Sequence, residues 1–137
     1  MRIRRLPYLC AVLLLAPGLA TAAKLFEAHS KAPGAKMDIS LREIERRPRS
    51  SVLAIEVRDP GSSVGGSFFI LCSIRKLALG RGGYAFIAKK EEHPRRGQML
   101  VGFLRSEGES PAAADPALAA EKVVGLEQFA PICDQMR

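Results

Sequence analysis

The segment Gly61-Ser62-Ser63-Val64-Gly65-Gly66-Ser67 has the clearest potential for chemistry in this chain. The backbone amides of a loop that leads into a helix can bind an anion at the helix N-terminus. Four residues separate Gly61 from Gly66, which is the glycine spacing of a phosphate loop, but the lysine of such a loop is missing. An ordinary strand-to-helix connection with a serine cap is the alternative. The candidate anion-binding loop consists of Gly61, Ser62, Ser63, Gly65, Gly66 and Ser67.

Residues suited to catalysis or metal binding are scarce. The chain has 2 histidines, His29 and His93, and neither has a predictable partner, so no Ser-His or Cys-His nucleophile pair is indicated. Glu91, Glu92 and His93 carry metal-ligand atoms, but adjacent side chains in a polar turn are more typical of a solvated loop. The sequence therefore predicts no catalytic residue, no metal site and no cofactor.

Two groups of basic residues are candidates for a binding surface. If the two groups share a face, they could contact anionic lipid headgroups, lipopolysaccharide or an acidic protein partner. Glutamates interrupt both groups, at Glu43 and Glu45 and at Glu91 and Glu92, which favours ordinary surface charge. The first group is Arg46, Arg47 and Arg49, beside Arg42, and the second is Lys89, Lys90, Arg95 and Arg96.

The N-terminal residues have the pattern of an export signal. A basic start is followed by the apolar run Leu6–Leu19 and by Ala20-Thr21-Ala22, whose small residues predict cleavage after Ala22. The apolar run of 14 residues is shorter than the roughly 20 residues of a membrane span. We therefore expect a periplasmic or secreted protein without a transmembrane span in the mature chain. General export and twin-arginine export through Arg4-Arg5 both stay open.

Removal of residues 1–22 changes the charge and the cysteine count. Lysine and arginine fall from 21 to 18 against 14 acids, so the formal net charge falls from +7 to +4. A small residual charge outside the cytoplasm argues against a nucleic-acid partner. The 3 cysteines become 2, Cys72 and Cys133, and an oxidising compartment favours their pairing as a disulfide. Two buried free thiols are the alternative.

Strands and helices in the second half of the chain must position these residues. Ser51–Arg58 alternates apolar and polar residues as a half-buried strand does. A helix capped by Ser67 carries an apolar stripe and ends at Gly80, Gly82 and Gly83. Tyr84–Lys90 and Gln98–Arg105 then form a hairpin. The stripe consists of Ile70, Leu71, Ile74, Leu77 and Ala78.

The two ends of the mature chain are less regular. Asp115-Pro116 indicates the start of a helix that runs to about Phe129 and is ended by Pro131. Residues 23–35 indicate an extended or mobile arm, and residues 36–46 fit a strand or a helix equally well. A charged linker joins them to Ser51.

We predict one α+β domain over residues 51–137, in the order β-α-β-β-α, with helices on one face of a three- or four-stranded mixed sheet. The strands at residues 51–58 and 84–90 are expected to be parallel neighbours, joined by a right-handed crossover.

The order of elements resembles a group of small exported bacterial proteins that are themselves largely uncharacterised. The resemblance covers about residues 51–100: the strand Ser51–Val57, a loop, a helix ending in Ala78-Leu79-Gly80, and the strand opening Gly83-Tyr84-Ala85-Phe86. Ala85 before Phe86 departs from the more aromatic strand of that group. The resemblance implies the fold and the compartment, and it implies no functional residues.

The sequence therefore favours an exported envelope protein that is a non-enzymatic binding or interaction module, with an unknown envelope component or protein as partner. The alternative is a small hydrolase or anion-binding protein that uses the loop Gly61–Ser67. A concave pocket with converging polar groups beside residues 61–67 would favour this alternative.

Overall fold

The structure is a computed structural model that describes residues 24–32 and 34–136. The predicted export signal and its cleavage site lie outside the described residues. The strands are β1 (Glu27–His29), β2 (Asp38–Arg46), β3 (Ser50–Asp59), β4 (Phe86–Glu91), β5 (Gln98–Leu104) and β6 (Val124–Gly125), and the helices are α1 (Ser63–Gly82) and α2 (Ala130–Gln135).

The described strands form one antiparallel sheet of 6 strands in the order β1-β2-β3-β5-β4-β6. The α+β class is therefore confirmed. The predicted sheet of three or four strands is too small, and the predicted mixed pairing and the order β-α-β-β-α are wrong. The sheet is larger because two strands precede the predicted domain and a short strand follows the hairpin.

The two additional N-terminal strands come from residues 23–50, for which the sequence predicts an arm and a charged linker, with a strand or a helix possible at residues 36–46. Residues 38–46 are a strand, because Ile39, Leu41 and Glu43 alternate inward while their neighbours are more exposed. Residues 27–29 pair with Ser40–Arg42, so part of the expected arm belongs to the sheet. The Ser30 hydroxyl accepts a hydrogen bond from the Ile39 amide at 2.7 Å and secures this pairing.

β3 and β4 run in the same direction, but they are not neighbours. Each is antiparallel to β5, which lies between them. The predicted parallel pair is therefore wrong. The physical reason lies in β5, where every residue from Met99 to Leu104 is buried, as expected for a central strand covered on both faces.

α1 covers one face of the sheet. The side chain of Ser62, rather than that of Ser67, caps it by accepting a hydrogen bond from the Gly65 amide. Ile74, Leu77 and Ala78 are buried against the sheet. The helix ends at Gly83, whose φ of 74° is left-handed. The hydrophobic core that Ile74, Leu77 and Ala78 form with the sheet also contains Leu41, Leu53, Ile87, Met99, Val101, Phe103 and Leu126. α1 has the length and the mean hydropathy, 1.2, of a possible membrane span, and buried core helices share these properties.

Part of the opposite face is covered by the segment after β5. This segment forms short 3-10 turns at Pro111–Ala113 and Pro116–Leu118 instead of the predicted long helix. Leu118 is buried over Gly102, where a Cβ atom would collide with the leucine side chain. Asp115 caps a 3-10 turn, and Pro131 lies in the first turn of α2 rather than ending a helix.

The disulfide Cys72–Cys133 joins α1 to α2, as predicted. The two cysteines are 61 residues apart, and both are buried. The bond therefore fixes the C-terminal segment to the core helix α1.

Candidate functional site

The glycine-rich loop is closed by its own hydrogen bonds. The Asp59 carboxylate accepts from the Gly61 amide at 2.8 Å, and the Ser62 hydroxyl accepts from the Gly65 amide at 2.9 Å. The carbonyl oxygens of Pro60 and Ser62 accept from the amides of Ser62 and Gly66. Ser67 lies one turn inside α1, where its hydroxyl donates to the Ser63 carbonyl. The predicted anion-binding residues thus form the capped start of a helix. Four of their amides already donate to acceptors within the loop.

The first basic group is engaged in ion pairs around the turn between β2 and β3. Arg46 donates to Glu43 at 2.6 Å, and Arg47 donates to Asp115 at 2.8 Å and to Glu45 at 2.9 Å. Arg49 pairs with Glu109 and donates to the Phe103 carbonyl. These arginines join the β2–β3 turn to the segment after β5.

The second basic group is divided between β4, which carries Lys89 and Lys90, and the β4–β5 turn, which carries Arg95 and Arg96. Ser50 pairs with Gly102 and Ala54 with Gln98, so the β2–β3 turn and the β4–β5 turn are at opposite ends of these strands. Lys89 forms an ion pair with Glu91 at 2.9 Å. Arg95 and Arg96 therefore lie away from the first group, whereas Lys89 is level with Arg46 along the strands and is separated from it by β3 and β5.

A buried ion-pair network beneath the β2–β3 turn was not anticipated. The Glu43 carboxylate accepts from Arg46, from the Ser51 hydroxyl at 2.5 Å and from the Phe26 amide at 3.0 Å, and Arg81 lies 3.5 Å away. Burial alone would raise the pKa of Glu43, but the hydrogen bonds from Arg46, Ser51 and Phe26 outweigh it and lower the pKa. The signal in the sequence that Glu43 is buried is the strand alternation, because Glu43 occupies the next inward position after Ile39 and Leu41.

Arg81 joins the C-terminal end of α1 to the same turn. Its guanidinium donates to the backbone carbonyl groups of Arg47 and Ser50 and lies 4.9 Å from the centre of the Phe103 ring. Burial, reinforced by the nearby Arg46, lowers the pKa of Arg81. With a third hydrogen bond to the Pro48 carbonyl, Arg81 joins the helix end to three carbonyls of the turn, so we assign this network to the stability of the fold.

A polar groove of about 300 Å³ lies on the uncovered face of β1, β2 and β3. Ala54 is the smallest side chain along it and pairs with Arg42 in the neighbouring strand. The His29 Nδ1 atom and the Ser40 hydroxyl are 3.1 Å apart. No carboxylate hydrogen-bonds to His29 within the described part of the chain, so the pair lacks the orienting group of a nucleophilic triad. The groove is lined by Glu27, His29, Ser40, Arg42, Ala54, Ile55, Glu56 and Arg58.

An apolar groove opens on the other face, between α1 and the strands β4 and β5. We call it the α1–β4 groove. It contains a cavity of about 250 Å³ and an adjoining cavity of about 210 Å³ that share Ile70, Glu91 and Met99. Beyond these residues, the lining comprises Ser67, Leu71, Ile74 and Lys89 in the first cavity, and Ile55, Val57, Glu92, Gly97 and Gln98 in the second.

The sheet edge beside this groove is only partly covered. β6 pairs with Phe86 and Ile87, and the Leu126 amide donates to the Ala85 carbonyl at 2.8 Å. Backbone groups alternate between the two sides of a strand, so Lys89 and Glu91 direct theirs to the same outer side as Ala85 and Ile87. On this outer side, no described segment pairs with β4 at Lys89 or Glu91, whereas β5 pairs with both residues on the inner side.

Among residues 24–32 and 34–136, no group of three or more histidine, cysteine or acidic residues could hold a metal ion. No protein-family model matches the chain, and no curated protein or solved structure matches it either.

Proposed function

We propose that this protein is an exported, non-enzymatic binding module of the cell envelope whose contact surface is the α1–β4 groove. The observation that carries the proposal is an apolar groove open at the surface of a small disulfide-bonded domain. Val57, in the groove wall, is 49% exposed. Val64 precedes the groove residue Ser67 by three positions on α1, so the two share a helix face, and it is 64% exposed. Contiguous exposed apolar surface on a soluble domain typically marks a contact site.

The composition of the groove fits binding better than catalysis. The Lys89–Glu91 ion pair lines the first cavity. The apolar part of the lining consists of Ile55, Val57, Ile70, Leu71, Ile74 and Met99. Ser67 is the only member of the glycine-rich loop that lines the first cavity. Glu43 and Glu109, whose pKa values are lowered, are held by arginines around the β2–β3 turn and line neither cavity of the groove. The hydrolase alternative therefore gains no support from the loop or from these carboxylates.

The disulfide and the N-terminal pattern support the assignment to the envelope. A disulfide that joins two elements of the fold is typical of oxidising compartments. The basic start, the apolar run and the small residues before position 23 have the pattern of an export signal. Together they favour a periplasmic or secreted protein with an envelope component as partner.

Site-specific photo-crosslinking tests the proposal. A photo-reactive amino acid is placed at position 64 beside the groove, or at position 107 in the exposed turn after β5, and the exported protein is irradiated in the envelope of its source cells. We expect a discrete adduct from position 64 and none from position 107. The captured partner, once purified, should bind the wild type more tightly than Ser67→Trp, whose indole fills the groove.

Two outcomes would overturn the proposal. Equal adducts from both positions would mean non-specific proximity, and a purified partner that binds Ser67→Trp as well as the wild type would place the contact elsewhere. Lys76→Trp is the matched control, because Lys76 is an exposed residue of α1 and lines neither cavity.

A further inference from the structure

We infer that the α1–β4 groove receives an extended peptide segment of a partner protein, which adds to the free edge of β4 as a further strand. This inference rests on the proposed function and names the form of the partner. It is carried by the juxtaposition of an unpaired strand edge with an apolar groove.

The first step is the backbone of β4. Its outer edge already accepts a strand of this chain, because β6 pairs with Phe86 and Ile87. The amide and carbonyl groups of Lys89 and Glu91 continue the same edge and have no protein partner in the described part of the chain. An extended peptide satisfies such groups by strand addition, which is an established mode of peptide recognition. An added peptide would therefore extend the row of hydrogen bonds that β6 begins.

The second step is the position of the groove relative to that edge. Lys89 and Glu91 line the first cavity together with Ile70 and Leu71, so their side chains lie on the face of the sheet that α1 covers. Alternate side chains of an added strand point to that same face. One of them would lie beside Lys89 and enter the cavity over Met99. The peptide is therefore expected to alternate, with an apolar residue at the position that faces α1.

The third step is charge. Lys90, Arg95 and Arg96 make no ion pair within residues 24–32 and 34–136, and they lie in β4 or in the turn that follows it. Glu92 in the same turn accepts a hydrogen bond from the Gly97 amide. The net charge of these four side chains is therefore positive, three cations against the single carboxylate of Glu92. Acidic residues flanking the apolar position of the peptide would complement it.

A selection from a displayed library of short random peptides against the disulfide-bonded protein tests the inference. We expect enriched sequences that alternate apolar residues with polar ones and are rich in acidic residues. The selected peptides should bind Ser67→Trp at least about tenfold more weakly than they bind Lys76→Trp. A tenfold difference in affinity corresponds to about 1.4 kcal/mol of binding free energy. In the NMR spectrum, the amides of Lys89 and Glu91 should shift on binding and become protected from exchange.

A second comparison separates strand addition from apolar contact alone. Lys89→Pro removes an outward amide without removing a hydrogen bond to β5, whereas Lys89→Ala keeps that amide. Proline should weaken binding about threefold to tenfold relative to alanine, as expected for one lost hydrogen bond. A further comparison leaves the protein unchanged: the selected peptide, N-methylated at the amides that face β4, should bind the wild type at least about tenfold more weakly than its parent peptide does.

The inference falls if no peptide is enriched, or if the N-methylated peptide binds as tightly as its parent. In either case a specific adduct from position 64 would leave the proposed function in place with a partner of another form. Loss of that adduct would remove the proposed function as well, so the two failures are distinguishable.

Discussion

At the scale of single residues, the β2–β3 turn depends on a carboxylate that the fold buries completely. Glu43 would be costly to bury alone, and it is accommodated because Arg46, Ser51 and the Phe26 amide all donate to it. Arg81 brings the end of α1 to the same point. Such a network specifies how β1, β2, β3 and α1 meet, and removal of one member leaves its partners buried without compensation.

Glu43→Gln is therefore expected to be strongly destabilising. It leaves Arg46 and Arg81 without their buried counterion, and breaking a buried ion pair typically lowers the free energy of unfolding by about 3–5 kcal/mol. Urea unfolding of the disulfide-bonded protein measures this change. Glu45→Gln is the matched control, because Glu45 belongs to the same strand and also pairs with an arginine, but it is exposed. Similar effects of the two substitutions would contradict the assigned role of Glu43.

The pH dependence of Glu109 provides a second test at this scale. Hydrogen bonds from Arg49 and from the Arg105 amide lower the pKa of Glu109 from its ordinary 4.5 to about 2. The contribution of this carboxylate to stability is therefore complete above pH 4.5 and is lost as the pH falls towards 2.

Carbon-detected NMR titration of the Glu109 carboxyl group should show this low pKa. Arg49→Gln should return the pKa of Glu109 towards its ordinary value, while Arg47→Gln should leave it unchanged, because Arg47 pairs with Glu45 and Asp115. An unchanged pKa in Arg49→Gln would show that the Arg49–Glu109 pair does not persist in solution.

At the scale of secondary-structure elements, α1 organises both ends of the molecule. Its first turn is capped by Ser62 beside the groove, and its last turn brings Arg81 to the β2–β3 turn. Cys72 near its middle holds α2. A helix with these attachments needs fixed ends, and its C-terminal end depends on the left-handed backbone of Gly83.

Two glycines near this end should respond to alanine with opposite signs. A Cβ atom at Gly80 or at Gly83 would meet no atom within 4 Å, so packing does not distinguish them. Gly80→Ala should stabilise the protein by about 0.5–1 kcal/mol, because alanine favours a helix interior. Gly83→Ala should destabilise it by about 1–2 kcal/mol, because a side chain disfavours the left-handed conformation. Denaturant unfolding of the pair checks the prediction, and a shared sign would refute the assigned helix end.

At the scale of the whole molecule, one disulfide closes a large part of the fold. The Cys72–Cys133 bond spans 61 residues of sequence, including β4, β5 and the segment that covers the second face. In the chain-entropy description, such a cross-link stabilises the folded state by roughly 4 kcal/mol. Net stabilities of small domains are about 5–15 kcal/mol, so this contribution is a large share.

Replacement of both cysteines by alanine should therefore lower the free energy of unfolding by roughly 4 kcal/mol, through the entropy of the unfolded chain. Urea unfolding, with the reduced wild type as a second reference, measures the loss. The α1–α2 contact should be the first to loosen, which amide exchange in α2 would report. Equal stability of the oxidised wild type and the double variant would contradict this role of the bond.

Local patterns in the sequence predicted much of the central region. Alternation identified the strands at 51–58 and 98–105, and the apolar stripe with its closing glycines identified α1. The sequence predicts that α1 starts at Ser67, but the helix begins at Ser63. The prediction is late because Gly65 and Gly66 suggest a loop, whereas both residues lie inside the helix. The C-terminal helix was misplaced because Asp115-Pro116 fits the start of a 3-10 turn as well as that of a long helix.

The sequence by itself determined the α+β class and the strand-helix-hairpin core, because both depend on local periodicity. It favoured the pairing of Cys72 with Cys133 over two free thiols, and the structure contains the bond. Only the tertiary structure decided that β5 lies between β3 and β4, that residues 27–29 join the sheet, and that Glu43 meets Arg81 across 38 residues. The α1–β4 groove belongs to this second group. Its walls come from segments far apart in the chain, and no local pattern records which strand edge a fold leaves open.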